Sequence, residues 1–309
     1  MILLCGIPSE SPLALVREQL ELLHIPYVLF NQRRFRDTEL AFEIQDGRIT
    51  GLMRVDGAAY RLEDFQGVYT RLMDDQVLPE LKDEPQHSVM RQRSRSLHAT
   101  LTHWTEITQA RVVNRAAPQG SNFSKPYQGQ IILDEGIRIP ETLITNDPEL
   151  VRSFQERHGR LIYKSISGIR SIVQSLEEKD LSRLGQIRWC PTQFQEFIEG
   201  TNVRVHVVGR EVFATAVSTE AIDYRYAQQQ VGDSAQLTAI ELPAELAEKC
   251  VRLAARMGLA FAGIDLKITP DDRVYCFEVN PSPAFSYYEA NTGQPIALAL
   301  ARYLAQQQN

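Results

Sequence analysis

The chain is poor in cysteine, and its four thiols are scattered at Cys5, Cys190, Cys250 and Cys276 of 309 residues. None forms a CxxC pair, and each sits in an apolar or strand-like context. A disulfide scaffold is excluded, and a reduced, cytoplasmic protein is expected. No run approaches the ~18 apolar residues of a membrane-spanning helix. The opening MILLCGIPSE lacks a positive region and has too short an apolar run for a signal peptide. No G-x-G-x-x-G follows the first apolar strand, so dinucleotide binding gets little support. Charge of one sign is also lacking. Lys and Arg number 33 against 39 Asp and Glu, a net charge of −6, which offers nucleic acid no general basic surface. Neither a Ser-His-Asp nor a Cys-His set stands out, so no covalent side-chain intermediate is called for. Internal repeats and low-complexity tracts are missing too, apart from a polar Gln tail.

What is present is an ordinary globular composition, 43% hydrophobic and 23% charged, long enough for two domains or one with subdomains. Residues 2–5 (ILLC) read as a buried strand. Pro12 suits the first turn of a helix carrying Leu13, Val16, Leu20 and Leu23 at helical spacing. A second strand follows at 25–30, and this β-α-β opening favours a parallel, Rossmann-like sheet. Residues 41–68 read as short strands with turns at Asp46-Gly47 and Asp56-Gly57. Residues 85–110 read as a long helix whose Arg91, Arg93 and Arg95 form a solvated face. The stretch NRAAPQGSNFSK (114–125) has loop composition and holds the expected domain boundary. A helix at 126–135 and strands at 160–166, 192–198, 202–208 and 211–218 come next, the last two joined by Gly209-Arg210. An amphipathic helix at 244–257 carries Leu246, Cys250, Leu253, Ala254 and Met257 on one face. The division expected is 1–113 and 114–309, the latter split into 114–191 and 192–309.

The late stretches AFAGIDLKI (260–268) and VYCFEVN (274–280) flank the turn TPDDR, a hairpin composition. With 270–273 as the loop, Thr269 pairs with Val274 and Asp265 stands opposite Glu278. Directly opposed side chains have Cβ atoms ~4.5–5.5 Å apart, and like charges so placed repel unless neutralised. A hard divalent cation would neutralise them, and Asn280 adds a third oxygen one step along the same face. Two unrelated exposed acids are the plain alternative. The apolar setting of GIDL and FEVNP weighs against it, because a buried carboxylate needs a partner.

GIDLK followed by FEVNPSP resembles the metal-binding end of ATP-grasp carboxylate–amine ligases. The likeness is to RimK-type enzymes, which add glutamate to a protein tail, and to microviridin-type peptide cyclases. It runs over 114–304, through SNFSKPYQGQIILDEGIRIPETLITNDPE, LIYKSISGIRS, TQFQEFIEGTNVRVHVVG and NPSPAF…TGQPIALALARYL. The fold it implies is α/β: an N-terminal Rossmann-like (pre-ATP-grasp) domain, then a two-subdomain ATP-grasp domain with antiparallel sheets. The resemblance implies that Asp265, Glu278 and Asn280 hold two Mg²⁺ ions, with Mn²⁺ as the alternative, bridging the phosphates of ATP. It assigns Lys125 and Lys164 to the nucleotide, Ser167 and Gly168 to a flexible phosphate loop, and Glu196, Phe197, Ile198 and Asn202 to the linker around purine and ribose. Arg204 and Arg225 match arginines near phosphates and substrate and are the catalytic candidates. The activity implied is ATP- and Mg²⁺-dependent activation of a carboxylate as an acyl phosphate, then its joining to an amine or hydroxyl on a peptide or protein.

The residues support part of this on their own. Lys164 ends a strand just before small residues whose backbone amides suit a phosphate. Taken singly, Lys164 is an edge-strand lysine, Lys125 a loop lysine, and Arg204 and His206 the wet side of an antiparallel sheet. His206, without a partner motif, reads as structural. Arg71, ending the strand GVYTRL, is either a surface arginine or an acceptor contact. The chain departs from the family pattern in three places. The phosphate loop has only Gly168 and also holds Arg170. Asn202 stands where aspartate is usual. DYRYA (Asp223, Arg225, Tyr226) matches its counterpart only partly, which leaves the substrate open. A ligase of small metabolites and a non-catalytic ATP-binding module stay as alternatives, and a homodimer is compatible with the sequence.

Overall fold

Every residue of ILLCG at the start of the chain is apolar or small, as a strand covered on both faces requires. In the computed structural model, which describes residues 1–166, 173–218 and 236–306, it forms the fully buried β1 (Ile2–Gly6). Helix α1 (Ser11–Leu22), with Pro12 in its first turn, crosses to β2 (Tyr27–Asn31), which runs parallel to β1. Strands β3 (Glu39–Gln45), β4 (Arg48–Val55) and β5 (Ala58–Arg61) make a separate antiparallel sheet. Its two turns are the expected Asp-Gly pairs, with φ of 50° and 76° at the first and 51° and 82° at the second. Positive φ at both central residues gives the twist that a two-residue hairpin needs. Strand β6 (Gly67–Arg71), helix α2 (Val89–Ile107) and β7 (Arg111–Val113) follow. The parallel sheet has the order β2-β1-β6-β7.

The solvated face expected for the α2 arginines fails at Arg91, which is only 6% exposed. Its guanidinium donates to the Asp75 carboxylate at 2.9 Å and to the Leu81 carbonyl at 2.6 Å. Arg91 shares the inward stripe of Ser94, Leu97 and Leu101, and spacing of three and four, not charge, decides its side. Arg93 and Arg95 are exposed, as expected.

Helix α3 (Lys125–Asp134) opens the second half. Strands β8 (Thr142–Thr145), β9 (Leu161–Ser165), β10 (Gln174–Ser175) and β11 (Thr192–Glu196) form an antiparallel sheet in the order β10-β9-β11-β8. Helix α4 (Pro148–His158) packs on it through Val151 and Phe154, against Leu161 and Phe194. A larger antiparallel sheet follows, with β12 (Thr201–Val208), β13 (Glu211–Ser218), β14 (Gln236–Ile240), β15 (Phe261–Ile268) and β16 (Val274–Asn280). Its order is β14-β13-β12-β15-β16, which leaves β16 at the edge. Helix α5 (Ala244–Arg256) buries Leu246, Cys250, Leu253 and Ala254 against Val203, Val205 and Val207.

The other face of β12 is not wet. Arg204 is 6% exposed and His206 fully buried, because α6 (Ser286–Thr292) lays Tyr288 against both. Helix α7 (Ile296–Ala305) then returns to the beginning of the chain. Its Ala297, Leu300, Ala301 and Leu304 pack with Ile2, Leu4, Leu13 and Tyr69. Cys5, Cys250 and Cys276 are buried, and Cys190 is exposed. Among the described residues no helix is long and apolar enough to cross a membrane.

Candidate active site

The hairpin register comes out as the spacing suggests at the acids and one residue off at the turn. Ile268, not Thr269, pairs with Val274, and Thr269 instead closes the turn by donating to and accepting from Arg273. A β-bulge between Leu266 and Asp265 then absorbs the extra residue, so Asp265 stands opposite Glu278 and Gly263 opposite Asn280. A bulge re-aims side chains. Phe277 is partly exposed and lines the cleft beside Glu278, while Val279 is fully buried.

Each acid has a cation. Asp265 accepts from Arg204 at 2.7 Å, the two being register partners across β12 and β15. Glu278 pairs with Lys125 at 2.8 Å, and Lys125 also donates to Asn122 at 2.8 Å. Two facing carboxylates and an amide oxygen form an all-oxygen donor set, which suits a hard divalent ion better than zinc. Among the described residues no three His, Cys, Asp or Glu side chains stand together, and the Asn280 amide oxygen accepts from the Ser282 N–H at 3.0 Å.

Asp265 and Glu278 line a cleft of about 100 Å³ between the β8–β11 sheet and the β12–β16 sheet. The cleft also takes in Lys164, Phe197, Ile198 and Asn202, and its apolar part is built by Ile162, Val173, Leu266 and Phe277. Glu196 lies beside it, its carboxylate accepting from the Glu141 amide at 3.0 Å. The cleft contains a residue that the sequence reading passed over, Lys267. Its ammonium donates to the Ile198 carbonyl at 3.1 Å, and burial, with Arg160 nearby, lowers its pKa. The signal was available: Lys267 lies two residues from Asp265 on one strand, hence on the same face. Arg160 lies 3.7 Å over the Phe197 ring. Ser167, Gly168 and Arg170 of the expected phosphate loop, and Asp223, Arg225 and Tyr226, lie outside the described residues.

A second chamber, of about 380 Å³, lies past the end of β16. Asn280 and Ser282 line it with Thr70, Arg71, His98, Asn114 and Asn122, so the strand end separates the two spaces. Arg71 is no surface arginine. Its side chain is 11% exposed, bonds both oxygens of Glu10 at 2.7 and 2.8 Å, and donates to the Ser282 hydroxyl and the Pro283 carbonyl.

Known proteins share this architecture. A probable alpha-L-glutamate ligase of Xylella fastidiosa is 25% identical over 278 residues, 83% of this chain and 90% of its own. One from Histophilus somni is 28% identical over 191 residues, or 58% of this chain and 62% of its own length. The ATP-grasp ligase PsnB, solved with minimal precursor, Mg and ADP, is 29% identical and superimposes with a TM-score of 0.77 over 98% of this chain and 96% of its own. A RiPP-associated ATP-grasp ligase of Chryseobacterium gregarium, solved with ADP and a leader and core peptide, shares the fold at a TM-score of 0.83 and 23% identity, over 98% of this chain and 96% of its own. The model of the RimK-like ATP-grasp domain matches residues 124–304, from the helix that carries Lys125 to the helix that closes on the parallel sheet, and the chain belongs to that family.

Proposed function

We propose that the chain is an ATP- and Mg²⁺-dependent ligase that activates a carboxylate and joins it to an amine or hydroxyl on a peptide or protein. The observation that carries this reading is the opposed pair Asp265 and Glu278 in the wall of the cleft that Lys164, Phe197 and Asn202 also line. Asp265, Glu278 and Asn280 fit the Mg²⁺ ions, which when bound offset charge on the phosphates of ATP. Lys164, Phe197, Ile198 and Asn202 hold the nucleotide, with Glu196 beside them, and Lys267 keeps the linker carbonyl of Ile198 in place. Lys125 and Arg204, each paired with one of the acids, add positive charge at the phosphate end. Ser167 and Gly168 as phosphate loop, and Arg225 as the group that steadies the activated carboxyl, complete the assignment.

In the first step a carboxylate oxygen attacks the γ-phosphorus of ATP, and the bond to the β-bridging oxygen breaks, releasing ADP. In the second, an amine or hydroxyl attacks the acyl phosphate carbon, phosphate leaves, and the nucleophile gives up a proton. The chamber bounded by Thr70, Arg71 and Asn280 receives the acceptor. PsnB and the C. gregarium ligase, both solved with peptides, support a peptide acceptor. The units 1–113, 114–191 and 192–309 are our working division, with α7 crossing back to the first. Buried, unbridged thiols support a cytoplasmic setting.

The test is ADP release from MgATP with pooled peptides and, separately, pooled amino acids, followed by mass spectrometry of the product. Peptide-stimulated release with loss of one water per new bond is expected. Stimulation by amino acids alone would replace this reading with a small-metabolite ligase. A rise in melting temperature with MgATP and no turnover in any pool would leave an ATP-binding module.

A further inference from the structure

Edge strands leave a row of backbone groups unpaired, and a buried unpaired group is costly. Strand β16 is such an edge, and its last residues carry Glu278 and Asn280. The residue between them, Val279, is fully buried, and its outer backbone groups are both taken by one side chain. The Gln128 amide nitrogen donates to the Val279 carbonyl at 2.8 Å, and the Val279 N–H donates to the Gln128 amide oxygen at 3.2 Å. This reciprocal pair does what a neighbouring strand would do. Gln128 is itself 1% exposed, so its primary amide has no exchange with water. Two residues on, Asn114 repeats the device. It is 5% exposed, donates to the carbonyls of Pro281 at 2.5 Å and Phe261 at 2.6 Å, and accepts from the Phe261 N–H at 3.0 Å. Asn114 therefore ties the exit of β16 to the entry of β15, the two strands that carry the acids.

We infer that Gln128 and Asn114 are positioning residues for the oxygen donors of β16. Holding Val279 and Pro281 from the outer edge fixes the pleat. Val279 then points into the core, and Glu278 and Asn280 point to the opposite side, toward the cleft and the chamber. The support comes from side chains outside the sheet, so the donors are in place before any ion arrives. The inference rests on the metal-site reading above, for which groups that orient metal ligands are worth roughly 10–100-fold in affinity.

The test measures Mn²⁺ binding by electron paramagnetic resonance on the full chain with a non-hydrolysable ATP analogue. Gln128→Met and Asn114→Ala are compared with Leu300→Ala, which weakens the core that α7 shares with the parallel sheet and leaves the hydrogen bonds of Gln128 in place. The two positioning variants should keep a native circular dichroism spectrum and bind Mn²⁺ about 10–100-fold more weakly. Leu300→Ala should bind as the wild type does. Wild-type affinity in a folded Gln128→Met overturns the inference, and so does an equal loss in Leu300→Ala. Should Gln128→Met not fold, hydrogen exchange on the unaltered chain decides. A Val279 amide that is slow without ion or nucleotide supports positioning by Gln128. A segment 278–282 that exchanges freely and slows only with Mg²⁺ and nucleotide would mean that the ion orders the strand end, and overturns it. A wild-type chain that binds no Mn²⁺ with nucleotide refutes the metal site itself, a result separate from the other outcomes.

Discussion

Asp265 and Glu278 are like charges held opposite one another, and each is answered by a cation at under 3 Å. Those pairings offset the mutual repulsion of the two acids within the fold. Glu278→Ala should therefore keep the fold and lower Mg²⁺-dependent ADP release on the order of 10²-fold. Full activity in that variant would refute the metal assignment. His206 makes a different prediction. It is fully buried between Phe261 and Tyr288, and neither ring nitrogen has a hydrogen-bond partner among the described residues. Burial, aided by the Arg204 charge, holds its pKa well below the usual histidine range. The unfolded chain protonates this histidine near pH ~6.5, while the fold refuses the proton. Stability is thus undiminished above about pH 6.5 and falls below it by about 1.4 kcal/mol per pH unit. Denaturant unfolding of His206→Phe at pH ~7 and pH ~5.5 should lose this part of the slope. An unchanged slope would show that His206 takes up its proton in the fold. The wet face expected for His206 fails, because only α6 reveals what covers β12.

Among the elements, the β15–β16 hairpin depends on one irregularity. Without the bulge at Leu266/Asp265, the observed turn pairing would have carried Phe277, not Glu278, opposite Asp265. The sequence reading reached the right pairing of acids from the wrong turn, since the two one-residue differences cancel. Bulges leave little trace in composition, so this could not be read from the residues. Gly263 is a second element-scale device. A methyl there would meet the Arg204 guanidinium and stand 2.7 Å from the Pro283 side chain. Gly263→Ala should cost about 1–3 kcal/mol, as overpacking does, and should push Arg204 off Asp265. Thermal unfolding and ADP release together check it: unchanged stability and turnover would mean that Arg204 has room to move.

For the whole molecule, the last helix belongs to the first sheet. Leu300 is fully buried in a core shared with Ile2, Leu4 and Tyr69, so the end of the chain helps fix the strand that ends at Arg71. Leu300→Ala should cost about 2–5 kcal/mol, and calorimetry should show the parallel sheet and the β12–β16 sheet melting together. Two separated transitions would mean that α7 does not couple them. The sequence by itself determined the β-α-β opening, the Asp-Gly turns, the amphipathic α5 and the opposed acids, because each follows from local periodicity or turn chemistry. It also carried the family, through motifs in order over most of the second half. Only the tertiary structure decided that Arg91 and Arg204 are buried and that Arg71 is locked to Glu10. It alone brought Lys267 and Phe277 to the cleft and Gln128 and Asn114 to the edge of β16. These depend on contacts between residues far apart in the chain, and a side chain's solvent is set by what packs over it, not by its neighbours in sequence.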